Sequence, residues 1–449
     1  MVDIREKKVT VAGMGRTAIA LSRLLLRQGA KPFVSEVKEK QEREALTRRL
    51  DDIGVPWECG GHTERAFKNT GLVIPSPGIP PAAPILEEAR KRGIPVMGEM
   101  EFAHRYTNAR ILAITGTNGK TTTTELTRAL VEACGHRVLL AGNNDTPLSA
   151  AVMTEPEPEY IVLEVSSYQL ELADTFHPWL AVLLNVTPDH LTWHGSMEAY
   201  TDAKRRLFQA QSKGDSAVLN DDDPIAASIE IPQDVQLWRF SLVKPQEHGL
   251  WIRDEGEICH GNEVIAHITD TVLPGRHNLQ NVLAALCMMR AGAFRWDLVL
   301  DGLRKFQGVE HRIEFVMQYD GVGFYNDSKS TNIDSLKVAL ESFRQPIVLI
   351  AGGQGKGSDY RVLAGLVQQH VKALVTIGQD APLLEAAFGQ LVPVSRAADM
   401  KDAVAKAREA AASGDVVLLS PACASFDMYE NFEHRGRDFK ACVRELEKG

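Results

Sequence analysis

With 449 residues, of which 44% are hydrophobic and 24% charged, the chain has the composition of a globular protein and the length of about three domains. A net charge of −9 excludes a general affinity for nucleic acid, which needs clustered Lys and Arg, but leaves room for local basic pockets. The six cysteines form no C-x-x-C pair, and no apolar run approaches the ~18 residues of a membrane span. Neither a zinc or disulfide framework nor membrane insertion is therefore expected. The charged start up to Lys8 predicts no signal peptide and a cytoplasmic chain.

Short apolar runs alternate with helix-like segments, which predicts parallel α/β domains. Val9-Thr10-Val11-Ala12 runs into Gly13-Met14-Gly15, followed by a helical pattern with Leu21, Leu24 and Leu25 on one face. Pro32-Phe33-Val34 ends at Ser35-Glu36, and Leu72-Val73-Ile74 stops at the turn Pro75-Ser76-Pro77-Gly78. These form a first domain, 1–98, of Rossmann-like type. A central domain, 99–308, holds Ile111-Leu112-Ala113-Ile114, a glycine loop, and a helix carrying Leu126, Leu130 and Ala133. Its next buried strands are Tyr160 to Val165 and Ala181 to Val186; residues 216–271 read as less regular, with antiparallel strands. His277 to Met289 reads as a helix. This domain is expected to be of P-loop type with a mainly parallel sheet. The third domain, 309–449, carries strands at 322–325, 347–350, 373–377 and 416–419 separated by helices, a second Rossmann-like sheet.

Gly13-Met14-Gly15-Arg16-Thr17-Ala18 fits G-x-G-x-x-[G/A] between a strand and a helix, with Glu36 at the end of the next strand. NAD(P), another nucleotide diphosphate and a purely structural turn all remain open on these residues. Thr115-Gly116-Thr117-Asn118-Gly119-Lys120-Thr121-Thr122 is a stronger signal. It follows a buried strand and opens a helix, so its amides and Lys120 can surround phosphate oxygens while Thr121 reaches Mg²⁺. The match to G-x-x-x-x-G-K-[ST] is shortened, because Ile114 stands where the first glycine would be. Glu164 ends a buried strand, as a metal-ligating carboxylate or as a capped strand end. Asp189-His190 follows another strand beside this candidate phosphate site. Asp327-Ser328-Lys329 and the glycine run from Gly352 through Lys356 to Gly357 either bring cations to a second anionic substrate or are ordinary solvated loops.

Together these segments resemble the Mur ligase family, in its D-glutamate-adding branch. The carriers are Ile114 to Thr122, Glu164-Val165-Ser166-Ser167-Tyr168-Gln169-Leu170-Glu171, Asn185-Val186-Thr187-Pro188-Asp189-His190 and His277-Asn278-Leu279-Gln280-Asn281. His311-Arg312, Asn326-Asp327-Ser328-Lys329 with Thr331-Asn332, Ser420 to Asp427 and Asn431 to Gly436 complete the set. The resemblance implies a UDP-sugar domain, an ATP domain and an amino-acid domain. It implies an ATP-dependent amide ligase of peptidoglycan precursor synthesis that joins D-glutamate to UDP-N-acetylmuramoyl-L-alanine through an acyl phosphate. It also implies two Mg²⁺ ions and a carbamate formed from CO₂ on Lys204.

By the same resemblance Gly15, Arg16, Thr17 and Glu36 lie near the UDP and Gly78 near the sugar, with Ser166 and Gln169 also toward substrate. Val37-Lys38 departs from the Thr-Arg of some relatives. Gly116, Thr117, Asn118, Gly119, Lys120, Thr121, Thr122, Asn278, Asn281, Arg312 and Asp327 would serve ATP. Thr121, Glu164, His190 and carbamylated Lys204 would hold metal, and Asn143 would stand near the γ-phosphate, followed by Asn144-Asp145 where relatives often have Ile-Gly. Lys329, Thr331, Lys356, Ser425 and Phe432 would form the D-glutamate pocket. A monomer is expected. The alternatives are a sister Mur ligase or folylpolyglutamate synthase using a different amino acid and, from another class, an NAD-dependent oxidoreductase.

Overall fold

The computed structural model describes residues 3–143, 146–355 and 357–448. The first sheet is wholly parallel and holds β1 (Lys8–Ala12), β2 (Lys31–Ser35), β3 (Trp57–Glu58) and β4 (Thr70–Pro75), in the order β3-β2-β1-β4. The chain first winds outward from β1 to β3, then returns to the other side of β1 with β4. The crevice at the carboxyl ends of β1 and β4 is therefore the topological switch point, where open α/β sheets bind ligands.

The second sheet begins with β5 (Arg110–Thr115), β6 (Val138–Gly142), β7 (Tyr160–Glu164), β8 (Leu180–Leu183), β9 (Ser216–Asn220) and β10 (Gln236–Ser241). It ends with β11 (Gly249–Arg253), β12 (Glu257–His260) and β13 (Glu263–His267), in the order β13-β12-β11-β10-β9-β8-β5-β7-β6. Strands β6 to β11 and β5 pair in parallel, and only β11-β12-β13 run antiparallel. The irregular stretch expected over 216–271 thus resolves into three further parallel strands, β9 to β11, and an antiparallel tail, β12 and β13. β8 stops at Leu183, three residues short of the apolar run that predicted it. Leu184 to Val186 instead turn over the glycine loop.

The third sheet holds β14 (Glu314–Tyr319), β15 (Val322–Asn326), β16 (Ile347–Gly352), β17 (Val371–Ile377), β18 (Val394–Arg396) and β19 (Val416–Leu419), in the order β14-β15-β19-β16-β17-β18. Only β14 is antiparallel, an edge strand missed by the sequence reading because its side chains are mostly half-exposed. In β16, Ile347, Leu349 and Ala351 point into one core with Leu336 and Leu340, whereas Val348 and Ile350 point into another with Met400, Val404 and Phe439. Alternate residues feeding two apolar layers are what a sheet covered by helices on both faces requires.

The chain forms two compact units. One holds the residues up to Asp270 together with Gln280–Arg304, the other Thr271–Leu279 together with the chain from Lys305 onward. In the first, one core runs from Val9, Leu21 and Leu24 across to Leu148, Ala151 and Leu163, so the first and central sheets share apolar packing. Among the described residues no helix is long and apolar enough to cross a membrane.

Candidate active site

The chain leaves the buried strand β5 at Thr115, whose hydroxyl donates to the Val165 carbonyl at 2.8 Å, and enters the glycine loop. The loop is braced from the end of β8. Thr117 N donates to Asn185 O at 3.0 Å, Asn118 N to Asn185 Oδ1 at 2.8 Å, and Thr187 N to Thr117 Oγ1 at 3.0 Å. Gly119 has φ +85°, and a Cβ there would lie 2.2 Å from Asn281 Oδ1, so both conformation and space exclude any other residue. The helix Lys120–Ala133 starts at Gly119 with no side-chain cap and no acidic residue in its first turn. Its opening amides are left for an anion, and the helix dipole favours one there. Lys120 curls back over the loop, donating to Gly116 O at 2.9 Å and Thr117 O at 2.8 Å. Thr121 and Thr122 lie in the same first turn, Thr121 half-buried and Thr122 buried.

Glu164 ends β7 and is buried. Its Oε1 accepts from Asn143 Nδ2 at 3.0 Å, while among the described residues Oε2 has no hydrogen-bonding partner. An orphaned buried carboxylate oxygen is costly without a cation, so the residues present fit a hard metal ion. His190 is held in the left-handed region at φ 53°, its amide donating to Asp189 Oδ1 at 2.8 Å and its ring 4.9 Å from that of Tyr168. For a histidine that backbone is strained, and such strain clusters at working sites.

Lys204 lies on the helix Met197–Arg205 and is buried. Its Nζ donates at 2.9 Å to Gly116 O, the same oxygen that Lys120 uses, and sits 4.7 Å over the Tyr200 ring. Burial, and then the charge of Lys120, hold its ammonium well below the usual lysine range.

In the first sheet, Gly13 and Gly15 lie at the switch point, and Ser76 Oγ after β4 donates to Gly13 O at 3.3 Å. Gly13 has φ +85°, and a Cβ there would press on Ile79 and Ser76. Arg16 and Thr17 open the helix Arg16–Arg27, which also lacks a side-chain cap. Glu36 is buried at the end of β2 and accepts from the amide of Met14 at 2.8 Å. Gly78 is exposed after β4. Ser166 and Gln169 cap each other: Ser166 Oγ accepts from Gln169 N, and Gln169 Oε1 accepts from Ser166 N at 2.9 Å. Gln169 nevertheless lines a narrow slit with Ser76, Ile79, Tyr168 and Leu172.

In the second unit Asp327 is buried at the end of β15, accepting from Ser420 Oγ at 2.7 Å and Ile313 N at 3.2 Å. Burial outweighs these bonds and the nearby Arg312, and raises its carboxyl to about 7. Asn278 Nδ2 donates to Pro274 O at 2.7 Å. Lys329 Nζ lies 5.7 Å over the Phe432 ring, Thr331 follows on the same loop, and Ser425 is buried. Lys356, Asn144 and Asp145 lie outside the described residues. The loops are tied together by Arg435, which is buried and, among the described residues, forms no ion pair. It donates to Ser328 Oγ at 3.0 Å and to the carbonyls of Ser328 (2.9 Å), Cys423 (3.0 Å) and Ala424 (3.2 Å). Burial lowers its pKa to about 10.

Three family models match in succession: "Mur ligase MurD-like, N-terminal domain" over 7–98, "Mur ligase middle domain" over 114–289 and "Mur ligase, glutamate ligase domain" over 311–423. The chain belongs to the Mur ligase family. The UDP-N-acetylmuramoylalanine--D-glutamate ligase of Koribacter versatilis is 42% identical, with 99% of each chain covered. That of Pelotomaculum thermopropionicum is 43% identical, covering 100% of this chain and 99% of its own. The crystal structure of UDP-N-acetylmuramate-alanine ligase MurC from Thermotoga maritima shares the fold at a TM-score of 0.59 and 18% identity, with 98% of this chain and 99% of that one covered.

This Mur ligase also uses residues that sequence reasoning did not single out. Tyr200 OH lies 3.0 Å from Thr117 Oγ1, and Trp193 Nε1 donates to Glu171 Oε2 at 2.9 Å. His194 Nε2 lies 2.9 Å from Ser167 Oγ. Asn185, Ser167 and Glu171 stand inside the quoted motifs, so their signal was present but not resolved to single roles. Arg435 lay in the quoted run from Asn431 to Gly436 in the same way.

Proposed function

We propose that this Mur ligase joins D-glutamate to UDP-N-acetylmuramoyl-L-alanine through an acyl phosphate, with ATP converted to ADP and phosphate, a step of peptidoglycan precursor synthesis. The observation that carries this reading is the 43% identity, over the full length, to a relative of that name. The domain assignments are 1–98 for the UDP-sugar, 99–308 for ATP and 309–449 for the amino acid. The enzyme works as a cytoplasmic monomer.

The reaction brings a substrate carboxylate against the γ-phosphate, two anions that repel, so the site must supply positive charge. The Gly116–Gly119 amides, Lys120, Thr121 and Thr122 grip the phosphates, with Asn143 beside them; Asn281 backs the loop, and Asn278, Arg312 and Asp327 serve the nucleotide. Glu164 and Thr121 would hold one Mg²⁺, and His190 with carbamylated Lys204 another; the metals would supply charge neutralisation. Lys204 suits carbamylation because burial favours its neutral amine, the form that attacks CO₂. Gly15, Arg16, Thr17 and Gly78 hold the UDP-sugar, with Glu36 bracing the glycine loop beneath it, and its peptide end passes Ser166 and Gln169. Lys329, Thr331, Lys356, Ser425 and Phe432 take D-glutamate, a dicarboxylate that two lysines and two hydroxyls match.

A panel of amino acids with product mass and ADP release tests the assignment. ADP and the amide should form only with D-glutamate and the UDP-sugar alanyl acceptor together, and Lys120→Ala should lower the rate by at least about a hundredfold. Turnover with L-lysine or meso-diaminopimelate but none with D-glutamate would move the enzyme to a sister activity.

A further inference from the structure

Beside the Gly13 loop stands a guanidinium that the assignments above do not use. Arg43 ends the 3-10 turn Lys40–Arg43 and precedes the helix Glu44–Asp52, so its backbone is held on both sides. Its Nε donates to Glu36 Oε2 at 3.3 Å; 27% of the Arg43 side chain and 6% of that of Glu36 are exposed. The same carboxylate accepts from Met14 N at 2.8 Å and Lys38 N at 3.0 Å.

Two consequences follow from this geometry. Glu36, buried and with three donors on its two oxygens, braces the loop. That leaves it poorly placed to take a ribose diol, the task of an acidic residue at this position in dinucleotide domains. Meanwhile Nε is the Arg43 nitrogen turned inward, and among the described residues its two terminal nitrogens meet no hydrogen-bonding partner. They are donors only, one carboxylate away from the Met14 amide. A diphosphate over Gly13 to Gly15 and the uncapped helix places its nucleoside toward the end of β2, where these donors stand.

We propose that Arg43 is a specificity-determining residue of the nucleotide site, its terminal nitrogens donating to a carbonyl oxygen of the uracil base. The proposal rests on the first domain being the UDP-sugar site. A guanidinium pairs with the uracil carbonyl at C4 and cannot pair with the amino group that replaces it in cytosine.

Titration calorimetry of the full-length enzyme with UDP and with CDP tests this. The unsubstituted enzyme should prefer UDP, and Arg43→Met should weaken UDP about tenfold while leaving CDP unchanged, as loss of one charged hydrogen bond does. Arg43→Lys, which keeps a donor and guards against a folding defect, should restore part of the preference, and the KM for D-glutamate should stay constant throughout. A UDP-to-CDP ratio unchanged in Arg43→Met at unchanged melting temperature would overturn the role of Arg43 alone. Absence of UDP binding by the unsubstituted enzyme would instead overturn the reading of the domain.

Discussion

Asp327 carries a pH signature of its own. In the unfolded chain it ionises near its ordinary 3.8, in the fold near 7, because burial penalises the charged form more than Ser420 and Arg312 favour it. Between these values the folded state holds the extra proton. The stability this confers is full below the unfolded value and is lost as pH rises toward 7, at about 1.4 kcal/mol per unit. Melting temperature followed from pH 4 to pH 8 should therefore fall less steeply in Asp327→Asn than in the parent enzyme; parallel curves would show that the group ionises normally. At this scale the sequence marked the Gly116 loop, Glu164 and Asp327 as candidates, because each sits at a strand end within a contiguous motif, while leaving a capped strand end open for Glu164 and a solvated loop open for Asp327. It could not show the partner of Thr117, since Tyr200 is 83 positions away and only the fold brings the two hydroxyls together. Nor could it show that Glu164 has one satisfied and one orphaned oxygen.

Between elements, Arg435 acts as a weld. The helix Phe432–Glu445 projects its guanidinium into the space between the 327–331 loop and the Cys423–Ala424 turn, where it bonds three backbone carbonyls and a hydroxyl. Arg435→Met would take the guanidinium from the buried carbonyls of Ser328 and Cys423, at about 1–3 kcal/mol each before relaxation, while Ala424 O keeps the Gln354 amide. The expected result is a lower melting temperature for the second unit and a KM for D-glutamate raised about tenfold or more, with the KM for ATP less affected. A KM for D-glutamate that does not change would show that the two loops hold their places without the weld. The strands were legible here because runs such as Ile347 to Ile350 are buried on both faces. The edge strand β14 was not, because Phe315 and Gln318 leave the alternation half-exposed and weak.

Across the whole molecule, the family models and the sequence agree on three domains, yet the apolar core of the first continues into the second. That continuity comes from the helix Arg16–Arg27 packing on the helix Leu148–Ala151, a pairing that the apolar face of Leu21, Leu24 and Leu25 does not by itself specify. Scanning calorimetry should accordingly resolve two transitions rather than three. By mass action UDP and an ATP analogue should both raise the transition of the first unit. Three transitions, or two nucleotides acting on different ones, would show that the shared core does not couple the first two domains.

Gly119 carries a consequence in terms of inheritance. Its Cβ position is already filled by Asn281 Oδ1, and its backbone is left-handed. A substitution at 119 is obstructed first by the neighbour and then by its own conformation. Shortening Asn281 removes only the first obstacle, while the left-handed penalty of about 1–2 kcal/mol stays. The two positions are therefore coupled in order: a side chain at 119 needs a prior change at 281, and even then it keeps the left-handed penalty.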